Sequence, residues 1–186
     1  MLEDPASAWT GVYCLRPYHP WKLGGAHNPD FAAATDGRLL DLKDGREQGI
    51  RDAAEHFRSG LELIELPQGT ILVIVPGHEA SRSNEGRPLA RVAHALAAAD
   101  TRYLARVESL VRTAAIPKLT VSGDRSVRRH LTSMRVNNPS DLRRATVLLL
   151  DDTVTTGRSM EAARILLSEA GARVAAVALG RTVKYF

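Results

Sequence analysis

Hydrophobic and polar positions divide the chain into an irregular first part and a second part in which strand and helix patterns alternate. Up to about Gly37, prolines and glycines interrupt the apolar stretches, so no regular element is predicted there. Residues 38–43 lie between two Asp-Gly pairs and are predicted as a short strand. Apolar residues then recur at helical spacing, which predicts an amphipathic helix over 48–60.

From Thr70 onward the pattern is that of an α/β domain. The unbroken run 71–75 is rich in β-branched residues, which predicts a strand buried on both faces. A Pro-Gly pair ends this strand, and a helix follows over 89–97 with Pro88 in its first turn. Residues 103–111 are predicted as a second strand.

A long excursion follows over residues 113–144. It shows no hydrophobic period and is rich in basic residues. Long excursions of this kind within a compact domain are usually functional or mobile.

The last forty residues have the clearest pattern. A buried strand over 146–150 precedes apolar positions at helical spacing over 159–170, and Gly171 ends that helix. A strand of Val and Ala follows over 173–179. Such a βαβ unit implies parallel strands and a right-handed crossover. Ligands of parallel sheets bind at the carboxyl ends of the strands.

Composition and cysteine content narrow the class of protein. With 44% apolar and 25% charged residues, the chain is expected to be soluble and globular. No stretch approaches the roughly 20 apolar residues that span a bilayer, and the first ten residues lack the order of a signal peptide. Cys14 is the single cysteine, which excludes an internal disulfide and a cysteine-rich zinc site. The cytoplasm is the expected location.

The charge of the chain favours anionic partners without choosing among them. The formal net charge is +4, and all but four of the 25 Lys and Arg residues are arginine. The planar guanidinium group suits bidentate phosphate binding, but a genomic bias toward arginine explains this content equally well. Nucleic acid stays open as a partner on charge alone, although no run of four basic residues supports it.

The segment 147–160 carries the most specific chemistry. A buried strand ends in two adjacent carboxylates, Asp151 and Asp152, and a hydroxyl-rich loop with Gly157 leads into a helix. The first amides of a helix bind anions, and a glycine lets the backbone approach a phosphate closely. Paired carboxylates suit the vicinal diol of a sugar, with metal-bound water nearby. The segment therefore predicts a site for a phosphorylated sugar such as ribose 5-phosphate.

This segment closely resembles the phosphoribosyl pyrophosphate (PRPP) signature of the type I phosphoribosyltransferases, which runs from four apolar residues through two acidic residues and a hydroxyl-rich loop to a glycine and a Ser or Thr. The resemblance implies that Asp151 and Asp152 are catalytic, hold the ribose hydroxyls and reach Mg²⁺ indirectly. It implies a 5′-phosphate cradle formed by Thr153, Val154, Thr155, Thr156, Gly157, Arg158 and Ser159. The alternative is an Asp-Asp pair that caps a turn, followed by Thr and Ser residues that cap the helix.

One position departs from part of this family. Purine-salvage members carry a third acidic residue, the proposed base for the nucleobase, where this chain has Thr155. The resemblance therefore does not imply salvage of hypoxanthine or guanine.

A second segment resembles the pyrophosphate loop of the same family, which follows the first core strand. The resemblance implies pyrophosphate contacts from Pro76, Gly77, His78 and Arg82. The alternative is an ordinary Pro-Gly turn that leads to a helix, with His78 as a plain surface residue.

Further matches resemble one branch, the competence proteins of the ComF type. They fall in the order of that branch at Leu40, Leu42, Lys43, Gly45, Val75, Pro76, Gly86, Arg112, Pro117 and residues 128–131. The branch usually has an N-terminal zinc module of cysteines, which a chain with Cys14 alone cannot form. The resemblance is therefore to a ComF-like domain without its zinc module.

The resemblance implies the type I phosphoribosyltransferase fold, an α/β fold with a parallel sheet of about five strands flanked by helices and a small N-terminal hood. We expect one domain over residues 1–186, with the hood in 1–60 and the PRPP-binding core in 70–186. We also expect a homodimer that uses Mg²⁺ to transfer the phosphoribosyl group of PRPP to a nitrogenous acceptor, with release of pyrophosphate.

Two other classes of function stay open. One is a PRPP-sensing regulator or DNA-uptake accessory protein that keeps the fold and catalyses nothing. The other is a nucleotide-phosphate binder in which the signature is accidental. Four basic residues either contact substrate phosphates or are solvated charges: Lys43, Arg112, Arg128 and Arg129.

Overall fold

The computed structural model describes residues 11–23, 25–81, 83–116 and 126–183, and its centre is a sheet of five parallel strands. In spatial order these strands are β1 (Val12–Tyr18), β9 (Arg173–Thr182), β8 (Thr146–Val154), β4 (Thr70–Ile74) and β5 (Tyr103–Ala105). The helices around it are α1 (Asp36–Lys43), α2 (Glu47–Leu61), α3 (Pro88–Ala99), α4 (Val127–Ser133) and α5 (Arg158–Glu169). Two small antiparallel ribbons pair β2 (Lys22–Leu23) with β3 (Ala26–His27), and β6 (Leu110–Arg112) with β7 (Met134–Val136).

The two faces of the central strands belong to two separate hydrophobic cores. Leu72 and Ile74 of β4 pack with Leu148 of β8 in the core that α1, α2 and α3 cover. Val73 of β4 and Leu149 of β8 pack in the other core, which α5 and the β6–β7 ribbon cover. Successive residues of a strand point to opposite faces, so apolar residues at every position are required when both faces are covered. The predicted α/β fold with a five-stranded parallel sheet flanked by helices is therefore confirmed.

The end of α5 shows how closely the sequence signal and the backbone agree. Gly171 has φ 89°, in the left-handed region that favours glycine. Its amide donates to Ser168 O at 2.9 Å, and the amide of Ala172 donates to Leu167 O at 3.2 Å. These two bonds are those of the Schellman motif, which satisfies the last carbonyls of a helix. The predicted helix end at Gly171 is confirmed.

The strand predicted over residues 38–43 is wrong, because these residues form helix α1. Leu39 and Leu42 are buried at the i, i+3 spacing that puts both side chains on one helix face. Gly45, with φ 73°, completes the helix end, as its amide donates to Leu42 O at 2.9 Å. An apolar run this short does not distinguish strand from helix by periodicity, and an Asp-Gly pair can follow a helix as well as a strand.

The region predicted as irregular, up to about Gly37, contains a strand of the main sheet. Strand β1 pairs with β9 in parallel, from Val12 opposite Ala176 to Tyr18 opposite Thr182. Pro17 lies in this strand, and β1 is an edge strand, where a missing backbone donor is tolerated. The residues expected to form a hood thus contribute a strand and the helices α1 and α2 to the body of the fold.

The second strand predicted over 103–111 is interrupted. Strand β5 ends at Ala105, a 3₁₀ turn spans Val107–Ser109, and β6 then turns away from the main sheet to pair with β7. The excursion over 113–144 includes α4, β7 and a 3₁₀ turn at Pro139–Leu142, while Pro117 lies outside the described residues. Among the residues that the structure describes, no helix is long and apolar enough to cross a membrane.

Candidate active site

Two loops that the sequence marks separately emerge side by side at the carboxyl edge of the sheet. Strands β4 and β8 are neighbours, with Ile74 opposite Leu150, and the amide of Val75 donates to Leu150 O at 2.9 Å. The β4 loop (residues 76–78) follows the first strand, and the α5 loop (residues 153–159) runs from the last two residues of the second strand to the first two residues of its helix. The parallel register therefore brings both loops and the acidic pair of β8 to one place, where ligands of parallel sheets bind.

The acidic pair at the end of β8 is half-buried and internally hydrogen-bonded. The amide of Asp152 donates to Asp151 Oδ1 at 2.9 Å, while Asp152 Oδ1 accepts from the Thr153 amide at 2.5 Å and from Thr153 Oγ1 at 3.0 Å. Burial and the neighbouring Asp152 carboxylate raise the pKa of Asp151 well above its ordinary value. A pair of this kind gains from ligands that bring hydrogen-bond donors or a cation, as a sugar diol or a metal ion does.

Lys43 places a cation beside this pair. Its ammonium group donates to Thr153 Oγ1 at 3.0 Å and lies 3.8 Å from Asp152 Oδ2. The same group lies 5.4 Å from the ring centroid of Tyr18. Because Lys43 is the last residue of α1, the helix that the sequence analysis predicted as a strand supplies this contact.

The α5 loop has the backbone geometry of an anion site. Gly157 has φ 76°, and the first hydrogen bond of the helix runs from the Glu161 amide to Gly157 O at 2.8 Å. The amides of Ser159 and Met160 precede that bond, so the helix itself does not use them. An anion placed before this helix start would meet those amides and the positive end of the helix dipole.

The side chains of the α5 loop divide into exposed hydroxyls and a buried anchor. Thr155 and Thr156 are exposed, and Thr155 Oγ1 lies 2.9 Å from Thr182 Oγ1 of β9. Val154 is buried in the core beneath the loop, so only its backbone is positioned for a ligand. Ser159 Oγ lies 3.3 Å from His130 Nδ1 and 3.4 Å from its Nε2.

His130, on helix α4, was not predicted as a site residue. It is buried at 6% exposure, beside the first turn of α5. It lies within the matched run 128–131, for which no role of this histidine was predicted. Of the two arginines predicted there, Arg128 is exposed and Arg129 is half-buried in the first turn of α4.

The β4 loop is enclosed by two arginines from other elements. Arg112 is 1% exposed, and its guanidinium donates to the carbonyls of Gly77 and Pro76 and to Ser133 Oγ at 2.5 Å. The guanidinium of Arg87 lies against Gly77 so closely that an ideal Cβ at this glycine would overlap it. Burial and the charge of Arg87 lower the pKa of Arg112 to about 10, so it is protonated at neutral pH.

The remaining residues predicted for pyrophosphate differ in placement. Pro76 is buried and Gly77 half-buried, while the His78 ring is partly exposed and lies 3.7 Å from Glu79 Oε1. The exposed contact between His78 and Glu79 contributes little to the stability of the protein. Arg82 lies outside the described residues. Arg112, predicted either to contact substrate or to be a solvated charge, is buried and reaches the β4 loop from the inside of the protein.

The chain was compared with family models, curated proteins and solved structures. No protein-family model matches the chain, and no curated protein matches it. Among solved structures, the chain is similar to a glutamic acid mutant of an HPRT, which comes from an analysis of an invariant aspartic acid in HPRTs. The two share 14% sequence identity with a TM-score of 0.42, over 80% of this chain and 74% of the HPRT chain.

Proposed function

We propose that this protein binds PRPP and transfers its phosphoribosyl group to a nitrogenous acceptor, as a Mg²⁺-dependent phosphoribosyltransferase. One observation carries the proposal, namely that the Asp151–Asp152 pair lies at the carboxyl edge of the sheet with the α5 loop after it on the same strand and the β4 loop after the neighbouring strand. PRPP has a phosphate and a pyrophosphate on opposite sides of a ribose diol. The site offers a carboxylate pair, a loop suited to an anion directly after it, and a second such loop after the neighbouring strand.

Each part of the ligand has a physical counterpart in the site. The amides of Ser159 and Met160, together with the positive end of the α5 dipole, would hold the 5′-phosphate. The carboxylates of Asp151 and Asp152 would accept hydrogen bonds from the ribose hydroxyls, which relieves the repulsion between them. The β4 loop, with Arg87 and Arg112 beside it, would face the pyrophosphate group.

The acidic pair also suits the predicted Mg²⁺. Carboxylate oxygens are preferred ligands of Mg²⁺, which usually keeps several waters and binds through one or two carboxylates plus substrate phosphates. PRPP would hold the ion, which Asp151 and Asp152 would reach indirectly, and its charge would neutralise pyrophosphate oxygens when bound.

The transfer needs no protein nucleophile. The bond from the anomeric carbon to pyrophosphate breaks with its electron pair on the pyrophosphate, and the lone pair of the acceptor nitrogen forms the new bond. A proton leaves that nitrogen to solvent. The protein's contribution is to position the ribose through Asp151 and Asp152 and to stabilise the departing anion with the β4 loop and its arginines.

The second candidate is a PRPP-binding regulator, or a DNA-uptake accessory protein of the ComF-like branch, without catalysis. Thr155 favours it, because this position has a hydroxyl 2.9 Å from that of Thr182 instead of the acidic base of purine-salvage enzymes. Product analysis with PRPP, Mg²⁺ and a panel of bases and amines distinguishes the two functions. Pyrophosphate release that depends on an acceptor supports the enzyme, and binding without turnover supports the regulator.

The acidic pair provides the test of PRPP binding. We expect the double variant Asp151→Asn/Asp152→Asn to bind PRPP more weakly by about 1–3 kcal/mol, because hydrogen bonds to charged groups contribute on that scale. Calorimetry with Mg²⁺ measures this loss. In the parent protein, PRPP should also raise the melting temperature, since a ligand of the native state stabilises it.

The control is Asp141→Asn, which changes an exposed carboxylate in the 3₁₀ turn at Pro139–Leu142. It should bind PRPP as the parent protein does. An unchanged PRPP affinity in the double variant would contradict the proposed ligand, and so would a parent protein that binds neither PRPP nor ribose 5-phosphate at millimolar concentration.

A further inference from the structure

Arg112 is a buried cation whose guanidinium is bound by neutral oxygens. It lies at the end of β6, 1% exposed, and reaches the carbonyls of Pro76 and Gly77 and the hydroxyl of Ser133. The Ser133 hydroxyl in turn donates to His130 O at 3.1 Å, which ties the contact to helix α4. Burying a charge is costly unless its donors are satisfied. The backbone carbonyls of the β4 loop and the Ser133 hydroxyl therefore satisfy the donors of the buried Arg112 guanidinium.

The position of Arg112 fixes which way the peptides of the β4 loop face. In a planar trans peptide, the carbonyl and the amide N–H point in opposite directions. Arg112 holds the carbonyls of Pro76 and Gly77, so the amides of Gly77 and His78 point away from it. Among the described residues, neither amide donates to a protein acceptor. Two adjacent amides are thus directed outward from the loop, as backbone donors are in anion-binding concavities.

A second arginine adds charge on the same loop. Arg87 precedes α3, and its guanidinium lies against Gly77. Glu108 holds residues 84–85, which precede Arg87 in the chain. Oε1 of Glu108 accepts from the Asn84 amide at 2.6 Å and from the Glu85 amide at 2.9 Å. The β4 loop therefore has two guanidinium groups beside it, whose repulsion an anion of more than one charge would relieve.

We propose that Arg112 is a positioning residue for the pyrophosphate group: it orients the amides of Gly77 and His78 toward the anion without contacting the anion itself. This inference rests on the proposed PRPP-binding function, and it names the residue on which the orientation of the β4 loop depends. It also assigns Arg87 to the same subsite, as the second cation on the loop. The subsite binds a pyrophosphate in preference to a sugar monophosphate.

The test measures the two halves of the ligand separately. Calorimetry of the Arg112→Lys variant uses inorganic pyrophosphate with Mg²⁺ in one titration and ribose 5-phosphate in the other. We expect the affinity for pyrophosphate to fall at least tenfold, because a lysine cannot hold both carbonyls in the fixed fork of a guanidinium. The affinity for ribose 5-phosphate should stay within twofold. Arg173→Lys is the matched control, because Arg173 begins β9 at the opposite edge of the sheet, and it should change neither affinity.

A spectroscopic measurement on the parent protein distinguishes orientation of the amides from general stability. The backbone amide resonances of Gly77 and His78 should shift on titration with pyrophosphate and Mg²⁺, and in Arg112→Lys these shifts should be lost. Absence of the shifts in the parent protein overturns the inference, whether or not the variant folds. It is overturned equally if Arg112→Lys binds pyrophosphate as the parent does, or if both affinities fall together.

These outcomes are separate from the failure of the proposed function. A parent protein that binds neither PRPP nor ribose 5-phosphate refutes the function itself. A parent protein that binds PRPP, with a pyrophosphate affinity that Arg112→Lys leaves unchanged, refutes only the role of Arg112.

Discussion

The α5 loop and the β4 loop lie side by side at one edge of the sheet, but they are built from different parts of the chain. The α5 loop and the acidic pair before it come from one contiguous segment, which supplies the carboxylates, the hydroxyls, Gly157 and the helix start. The geometry of the β4 loop depends on Arg87 and on Arg112, which lies 35 residues along the chain from Gly77. A contiguous segment leaves a signature in sequence, whereas a site assembled from distant residues does not.

The first way to test this comparison is Gly157→Val, for which we expect the largest effect. A β-branched residue at φ 76° is strained by about 1–2 kcal/mol, so the free energy of unfolding should fall by that amount. The strain should also move the backbone of the α5 loop, and the affinity for ribose 5-phosphate should fall more than tenfold. Denaturant unfolding and calorimetry on the same variant measure the two effects.

Gly171→Val is the matched control, because Gly171 has φ 89° at the other end of the same helix. An added Cβ there would lie 3.4 Å from Arg143 Cγ, so this variant should also lose stability while it keeps its affinity for ribose 5-phosphate. If Gly157→Val behaves in the same way, the α5 loop is not the phosphate site, and the central claim about this segment fails.

The second test, with an intermediate effect, is Gly77→Ala. The added Cβ would overlap the guanidinium of Arg87, which is the far end of a flexible side chain and can move away. We therefore expect little change in the melting temperature. The affinity for pyrophosphate should fall about tenfold, because the displacement of Arg87 weakens a hydrogen bond to a charged group, and the lower end of the about 1.5–3 kcal/mol that such a bond is worth corresponds to that loss.

Gly37→Ala is the control for this change, since its added Cβ would meet only ordinary contacts at 3.9 Å. A Gly77→Ala variant that binds pyrophosphate as the parent does would show that Arg87 has no part in the β4 loop's function. The geometry of the β4 loop would then depend on Arg112 alone.

The sheet was predictable from sequence because its central strands are buried on both faces. Residues 71–74 of β4 and 147–150 of β8 are unbroken apolar runs, and such runs fit only a covered sheet. Strand β1 was not predicted, because an edge strand need not be an unbroken apolar run and tolerates Pro17. Helix α1 was assigned to the wrong class, because two leucines three residues apart fit a short strand as well as a helix.

The candidate site was predictable only where it is local. Asp151, Asp152 and Gly157 follow from one segment, and the βαβ pattern implies the edge of the sheet at which they lie. The contacts of Arg112 and His130 depend on how the excursion over 113–144 folds back over the sheet, and this part of the chain has no hydrophobic period to predict it. No spacing rule in the sequence relates Arg112 to Gly77.

The smallest expected effect belongs to Lys43, which connects a distant helix to the contiguous segment. Lys43→Met removes the donor to Thr153 Oγ1 and the charge 3.8 Å from Asp152 Oδ2, while it keeps an unbranched side chain over Tyr18. The Lys43 and Asp152 side chains are each about one-third exposed, so the contact should contribute about 0.2–1 kcal/mol. Because 1.4 kcal/mol corresponds to a tenfold change in affinity, PRPP binding should weaken by no more than about fivefold.

Lys22→Met, in the exposed strand β2, is the matched control and should leave binding unchanged. A loss of a hundredfold in Lys43→Met would show that this lysine contacts PRPP directly, and the α5 loop would then depend on a distant residue as the β4 loop does.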